Sequence, residues 1–252
     1  MSDLGLIAQR LDEAAHNASA IKQLAEELTI DQAYEIQKQS IDRRLSRGEK
    51  RIGMKMGFTS RAKMVQMNVS DMIWGRLTDA MIEEEGGTIQ LSKYIHPRVE
   101  PEVVYLLRKP LAGRITPLLA LDAVEAIAPA LEIIDSRYDD FKFSLTDVVA
   151  DNCSSSGLVI GNWQRPDTDV NNLGLILSVN GKPMEFGSTS AILGDPIRSL
   201  VAAARMAAEA GEELPVGSLV MAGGATAAIA LSADETIELE LESLGRASFS
   251  VE

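Results

Sequence analysis

The sequence predicts an α+β fold, rich in β-strand and led by a helical segment. Three observations point there. Apolar residues recur at helical spacing at the start of the chain, in Leu4, Ile7, Leu11 and Ala14. Beyond Gly48 the texture changes to short apolar runs punctuated by glycine and proline. Within those runs, Asn180-Gly181 between Leu175–Val179 and the residues from Lys182 onward carries the signature of a tight hairpin.

The elements follow in chain order. Residues from 3 to about 48 read as helical, with Thr29-Ile30-Asp31 opening a second helix through Tyr34, Ile36 and Ile41. Its basic end, Arg43, Arg44, Arg47 and Lys50, suits a helix C-terminus and reads most simply as a solvated face. Strand-like runs follow at Arg51–Phe58, Val99–Leu107, Ala130–Ile134, Gly157–Ile160 and Leu175–Val179. A helix is expected over Pro196–Ala210, closed by Gly211, then strands at Ser218–Ala222 and Thr236–Leu241. So many strands with so few helices between them argue for a mixed sheet rather than a regularly alternating parallel one. The expected organisation is a helical segment over residues 1–50 packed on a catalytic domain over 51–252, with no repeat and no clear linker.

Composition narrows the function. Thirty-seven acidic residues against 24 basic ones give a formal charge of −13, a surface that repels phosphate backbones and excludes nucleic acid as a partner. No leader-like apolar core and no run near the roughly 20 residues needed to span a bilayer is present, so the expected location is the cytoplasm. The one cysteine, Cys153, excludes an internal disulfide and a cysteine zinc site, and with no histidine near it in sequence it reads as a small buried residue. Two histidines, His16 and His96, leave little room for histidine-rich metal sites or a Ser-His-Asp scheme.

The chemistry concentrates in acids. In an extended strand, Glu100 and Glu102 of His96-Pro-Arg-Val-Glu-Pro-Glu102 share a face and repel unless a cation or protons intervene. A hard divalent ion, magnesium or manganese, suits such oxygen donors, although an E-x-E pair taken alone is more often a solvated strand end. Glu132 sits inside the apolar run Ala128–Ile134 and needs a partner, either a metal or a base such as Arg137. Asp135, three residues on, falls on the opposite strand face if the strand persists. Lys55 lies in the apolar, glycine-flanked Gly53–Ser60; burial would depress its pKa, whereas a snorkelling strand-end lysine would not be perturbed. Val148–Gly157 reads as a polar, turn-prone segment able to present donors to a ligand, or as an ordinary loop. The glycines of Ala222–Ala227 form no nucleotide fingerprint but permit close backbone approach.

Together these segments resemble the fumarylacetoacetate hydrolase-like superfamily and its hydratase–decarboxylase branch. The carrying motifs are Lys55–Met67, His96–Glu102, Leu131–Phe143 and Val149–Ser155, and the likeness runs from about Ile30 to the C-terminus. Asp135-Ser-Arg-Tyr with Phe141-Lys-Phe, and Gly223–Ala228, resemble the decarboxylases more than the hydratases. Phe58, Asn68 and Ala222 depart from the usual pattern, the last beside the expected pocket. The resemblance implies the β-rich fold of that superfamily, with Glu100, Glu102 and Glu132 as magnesium ligands. It implies Lys55 and Asp79 as catalytic residues, with Asn152, Ser154 and Thr226 near the substrate. It further implies a 2-oxo dicarboxylate substrate, 2-oxo-3-hexenedioate, that loses its distal carboxylate to give 2-hydroxypenta-2,4-dienoate. A homo-oligomer and a complex with the hydratase that follows it are also implied. Hydration of that dienoate is the alternative activity; a non-catalytic partner subunit fits the retained acids and lysine less well.

Overall fold

The computed structural model describes residues 4–25, 27–60, 64–65 and 71–252. The motif residues Arg61–Lys63 and Gln66–Met67, and the departure at Asn68, lie outside the described residues. The helical segment is two helices, α1 (Leu4–His16) and α2 (Ile30–Ser46), joined by a stretch in which Ile21 bridges to Tyr138. Thr29 starts α2 with a reciprocal cap: its hydroxyl accepts from the Gln32 N–H, and the Gln32 side chain accepts from the Thr29 N–H. The basic end of α2 is more than a solvated face. Arg43 and Arg47 donate to the buried Asp12 of α1 at 2.6–2.9 Å. Burial alone would raise the Asp12 pKa, but the two guanidinium groups outweigh it and hold the carboxyl below its ordinary value.

The strands and remaining helices alternate irregularly. β1 (Arg51–Gly57), β2 (Ile73–Thr78), β3 (Ile82–Glu83), β4 (Thr88–Ile89) and β5 (Arg98–Leu107) precede the short helix α3 (Pro117–Asp122). β6 (Val124–Ile134) leads through α4 (Leu145–Ala150) to β7 (Ser155–Ile160). β8 (Gly174–Val179) and β9 (Lys182–Ser188) form the expected hairpin about Asn180-Gly181, both at positive φ. α5 (Ile197–Glu209) is followed by β10 (Leu219–Met221), β11 (Ile229–Ala230), β12 (Thr236–Leu241) and β13 (Gly245–Val251). Two sheets result. One runs β2-β1-β10-β5-β6-β7-β3, with β11 added to β5, and the other runs β4-β13-β12-β8-β9. Parallel pairs (β1 with β10, β3 with β7, β4 with β13) sit among antiparallel ones, the mixed arrangement expected.

Strand alternation separates core from chemistry. Val99, Val103, Tyr105 and Leu107 of β5, with Ile127, Leu131 and Ile133 of β6, pack between the sheets against Leu177, Ile237, Leu239 and Phe249. The opposite face carries Val104, Ala128, Ala130 and Met221, and on it Glu100, Glu102, Glu132 and Lys55 take the intervening positions. Both faces of these strands are buried, which is why the acids interrupt apolar runs instead of alternating with them. No helix among the described residues is long and apolar enough to cross a membrane.

The helical segment closes over one end of the larger sheet. Ile7, Leu11, Ala33 and Ile36 share a core with Tyr138, Val148, Val149 and Cys153. Gln37 fixes the contact: Nε2 donates to the Trp74 and Val149 carbonyls at 3.1 and 2.8 Å, and Oε1 accepts from Arg76 at 2.6 Å. Gln37→Leu removes these three buried hydrogen bonds, leaving the Trp74 carbonyl only its thiol donor and Arg76 its pairing with Glu212, and is expected to cost about 2–4 kcal/mol of stability. Denaturant unfolding followed by far-ultraviolet circular dichroism, with an unchanged slope, checks this.

Candidate metal centre

Three carboxylates meet on the inner face of the larger sheet. Register sets Glu100 of β5 directly opposite Glu132 of β6, with Glu102 one two-residue step along the same face. One oxygen from each lies within 4.8 Å of the others. Glu100, Glu102 and Glu132 are 9%, 1% and 0% exposed, so they are not a solvated strand end.

Lys55 completes the cluster. Its ammonium stands 3.0 Å from Glu132 Oε2 and donates to the Cys153 carbonyl at 3.1 Å. Glu132 therefore pairs with Lys55, while Arg137 pairs with the buried Asp151. Burial pulls the Lys55 pKa down, as the sequence suggests, but Glu132 and the neighbouring acids outweigh it and raise it above its ordinary value. Lys55 is a buried, charged donor and does not snorkel.

Backbone geometry holds this arrangement. The Gly223 N–H donates to Glu102 Oε2 at 2.7 Å; Gly223 has φ +109°, and a Cβ there would sit 2.1 Å from Thr59 Oγ1. A Cβ on Gly224 would lie 2.8 Å from Glu100 Oε2. The Ser155 hydroxyl donates to Glu132 Oε1 at 3.2 Å. Residues 152–154 form a left-handed turn, with φ of 50°, 53° and 59°, and it is this turn that aims the Cys153 carbonyl at Lys55. The turn is pinned to β2 by Asn152, whose Oδ1 accepts from the Arg76 N–H at 2.7 Å and whose Nδ2 donates to the Arg76 carbonyl at 2.9 Å.

The other expected residues divide. Ser154 Oγ is buried and has no hydrogen-bond partner, beside the Cys153 carbonyl that holds Lys55. The Asn152 amide binds the Arg76 backbone through both its oxygen and its nitrogen, so it supports the turn. Thr226 donates to the Ala227 carbonyl and packs its methyl against Gly187 of β9, aside from the carboxylates. Asp79 is not brought to the cluster. It is exposed at the start of a 3-10 turn after β2 and accepts from the Lys50 N–H, at the far end of β1 from Lys55. Asp135 lies past the end of β6, where it accepts from the Ile95 and His96 N–H groups. His16 closes α1, and the His96 ring rests 5.0 Å from Phe141. Cys153 is buried with its thiol on the Trp74 carbonyl, and burial pushes its pKa up to about 12, which fits a packing residue.

The cluster fits a hard cation. Glu102 Oε1 is buried without a partner, and burial and the charge of Glu132 push the Glu102 carboxyl well above its ordinary pKa. Burial likewise raises Glu132, against the opposing pull of Lys55. Three oxygen donors with too little positive charge among them suit magnesium or manganese rather than a soft metal.

Comparison with known proteins identifies the family. The fumarylacetoacetate (FAA) hydrolase C-terminal family pattern matches residues 50–252. The chain belongs to that family. A 4-oxalocrotonate decarboxylase of Pseudomonas sp is 60% identical over 97% of this chain and 96% of its own length. A 2-hydroxyhexa-2,4-dienoate hydratase of Comamonas testosteroni is 33% identical over 98% of both chains. The structure of a 4-oxalocrotonate decarboxylase from Pseudomonas putida G7, complexed with magnesium and adipate, superimposes with a TM-score of 0.96 at 35% identity, covering 99% of this chain and 97% of that one. The family pattern thus covers the three acids, and the superposition on the decarboxylase structure extends over the helical segment as well.

Because the folded Glu102 carboxyl titrates above its unfolded value, the metal-free protein binds protons more tightly when folded, and its stability falls as pH rises from the ordinary carboxylate range near 4.3. Glu102→Gln removes that loss. We expect it to raise the neutral-pH melting temperature of the metal-free protein by roughly 2–8 °C while abolishing the rise that magnesium gives the parent protein. Paired thermal melts with chelator and with magnesium check both signs.

Proposed function

We propose that the protein is a metal-dependent carboxy-lyase that converts 2-oxo-3-hexenedioate to 2-hydroxypenta-2,4-dienoate and carbon dioxide. The observation that carries this reading is the buried set of Glu100, Glu102 and Glu132 with Lys55 ion-paired inside it. The chain's far greater identity with the Pseudomonas decarboxylase than with the hydratase supports decarboxylation over hydration.

The three glutamates would hold the ion, magnesium or in its place manganese. Once bound, it supplies a Lewis acid for the 1-carboxylate and 2-oxo oxygen of the substrate. The distal carboxylate is a vinylogous β-keto acid. Its C5–C6 bond breaks, carbon dioxide leaves, and the electron pair passes through the double bond to the 2-oxo oxygen as a dienolate. Lys55 faces that developing charge. Two of its three donors go to Glu132 and the Cys153 carbonyl, leaving a third for the oxyanion. Ser154 Oγ, buried and without a protein partner, is the substrate-facing hydroxyl. Asn152 acts through the turn that positions Cys153. Asp79 and Thr226 take no part in this scheme.

No histidine is needed. The carboxylate cluster contains no histidine among the described residues: His16 ends α1 and the His96 ring packs against Phe141. The family resemblance also carries a cytoplasmic homo-oligomer that associates with the following hydratase. The outer strand β9, which exposes Met184 and Phe186, supplies an apolar surface suited to a second subunit.

Incubation with magnesium and 2-oxo-3-hexenedioate is expected to release carbon dioxide stoichiometrically with dienoate formation. Water addition to 2-hydroxypenta-2,4-dienoate without carbon dioxide release would assign the hydratase activity instead. Lys55→Met is expected to lower kcat by about a hundredfold or more, the scale of losing an oxyanion donor. Full turnover in that variant would remove Lys55 from the mechanism.

A further inference from the structure

Arg98 is the first residue of β5, and strand alternation puts it on the face that carries Glu100 and Glu102. It stands one two-residue step before Glu100, about 7 Å along the strand. In a chain where 37 acids outnumber 24 bases, an exposed arginine beside three carboxylates would be expected to find an acidic partner. Among the described residues Arg98 makes no ion pair. Its guanidinium instead lies over the Phe141 ring, 4.6 Å from the centroid. That ring is itself packed: Asp140 and Phe141 both take positive φ, and Phe141 lies tilted against His96 at 5.0 Å and Phe143 at 6.0 Å. The segment is further tied down where Asp135 accepts from the Ile95 and His96 N–H groups. A cation–π contact with an aromatic ring uses none of the guanidinium N–H donors, which remain able to take a planar anion in the paired geometry a carboxylate accepts.

We propose that Arg98 receives the distal carboxylate of the substrate and thereby sets the preference for 2-oxo dicarboxylates. The assignment rests on the decarboxylase reading above. With the 2-oxo acid end at the glutamates, the four carbons between the two carboxyl groups give a span of the same order as the step from Glu100 to Arg98. The carboxylate that Arg98 binds is also the one that leaves. Its charge departs from Arg98 during the reaction, so the arginine contributes to substrate binding and not to acceleration of bond cleavage. Removing it raises KM and spares kcat. Arg98 is exposed, so its contribution weakens as salt is raised.

The test uses the full-length, magnesium-loaded protein and two probes: adipate, a six-carbon dicarboxylate, and pyruvate, a 2-oxo acid without a second carboxylate. Arg98→Met keeps an unbranched stem against Phe141 and removes the charge; Arg98→Lys restores the charge without the fork. Calorimetry is expected to show adipate binding weakened about tenfold or more in Arg98→Met and partly recovered in Arg98→Lys, with pyruvate binding within twofold of the parent. In turnover, KM for 2-oxo-3-hexenedioate rises to a similar extent while kcat stays within about threefold. Adipate affinity and KM both within twofold of the parent would overturn the assignment, as would equal losses for adipate and pyruvate, which indicate a distorted metal centre. A parent protein that releases no carbon dioxide strikes the decarboxylase reading; selective loss of adipate in Arg98→Met would still uphold Arg98 as a carboxylate acceptor.

Discussion

The fold is arranged around a buried excess of negative charge. Glu100, Glu102 and Glu132 lie on one inner sheet face, and Lys55 is the ammonium that enters their cluster. Among the described residues, these three carboxylates and the Lys55 ammonium sum to about −2 in a place with little water to screen it. Such an arrangement is tolerable when the remaining charge is matched by a bound divalent ion, and it is otherwise relieved by proton uptake. The raised Glu102 and Glu132 pKa values express that tension. The surrounding structure therefore serves to prevent the carboxylates from swinging apart.

That restraint comes from backbone more than from side chains. Glu102 is fixed by the Gly223 amide, and Glu100 has room because residue 224 has no side chain. On the opposite side, Gly75 lets β2 approach the 152–154 turn, where a Cβ would lie 2.5 Å from the Asn152 carbonyl. The Asn152 amide then reads the Arg76 backbone as a neighbouring strand would, and Arg76 is itself tied through Gln37 to the helical segment. Helices α1 and α2 carry no residue of the cluster. Their packing on α4 and β2 nevertheless stiffens the turn that supplies the Lys55 acceptor.

The sequence revealed the parts whose pattern is local. Glu100 and Glu102 share a face by strand period alone, and an acid in the middle of Ala128–Ile134 announced a partner without naming it. The partner was Lys55 and not the nearer Arg137, a choice made by a register spanning two intervening strands. β2 escaped notice because Gly75 and Arg76 break its apolar run, although every residue in it is buried. The glycine is demanded by close approach to Asn152, and the arginine is neutralised by Glu212 and stacked on Trp74. α4 was not expected, and its last three residues fall at the start of Val148–Gly157, the segment that reads as a polar loop. Its Ser144–Asp147 capping box was the available signal. Asp79, which the resemblance alone suggested, follows β2 and bonds the Lys50 N–H, at the opposite end of β1 from Lys55.

What the cluster can do follows from which of its groups are committed. Addition of water to a dienoate requires a base free to take a proton from a water molecule. Glu132 is held by Lys55 and Ser155, and one oxygen of Glu102 by Gly223; both residues are buried, within the charged cluster. Decarboxylation makes a smaller demand. No proton is removed from water and no covalent bond to the protein forms; negative charge moves from a distal carboxylate to an oxygen beside Lys55 while a neutral molecule leaves. A site with its positive charge fixed in place before the reaction and little freedom to reorganise is suited to that relocation. The same rigidity is a handicap for delivering water. The geometry thus favours carbon–carbon cleavage by charge migration.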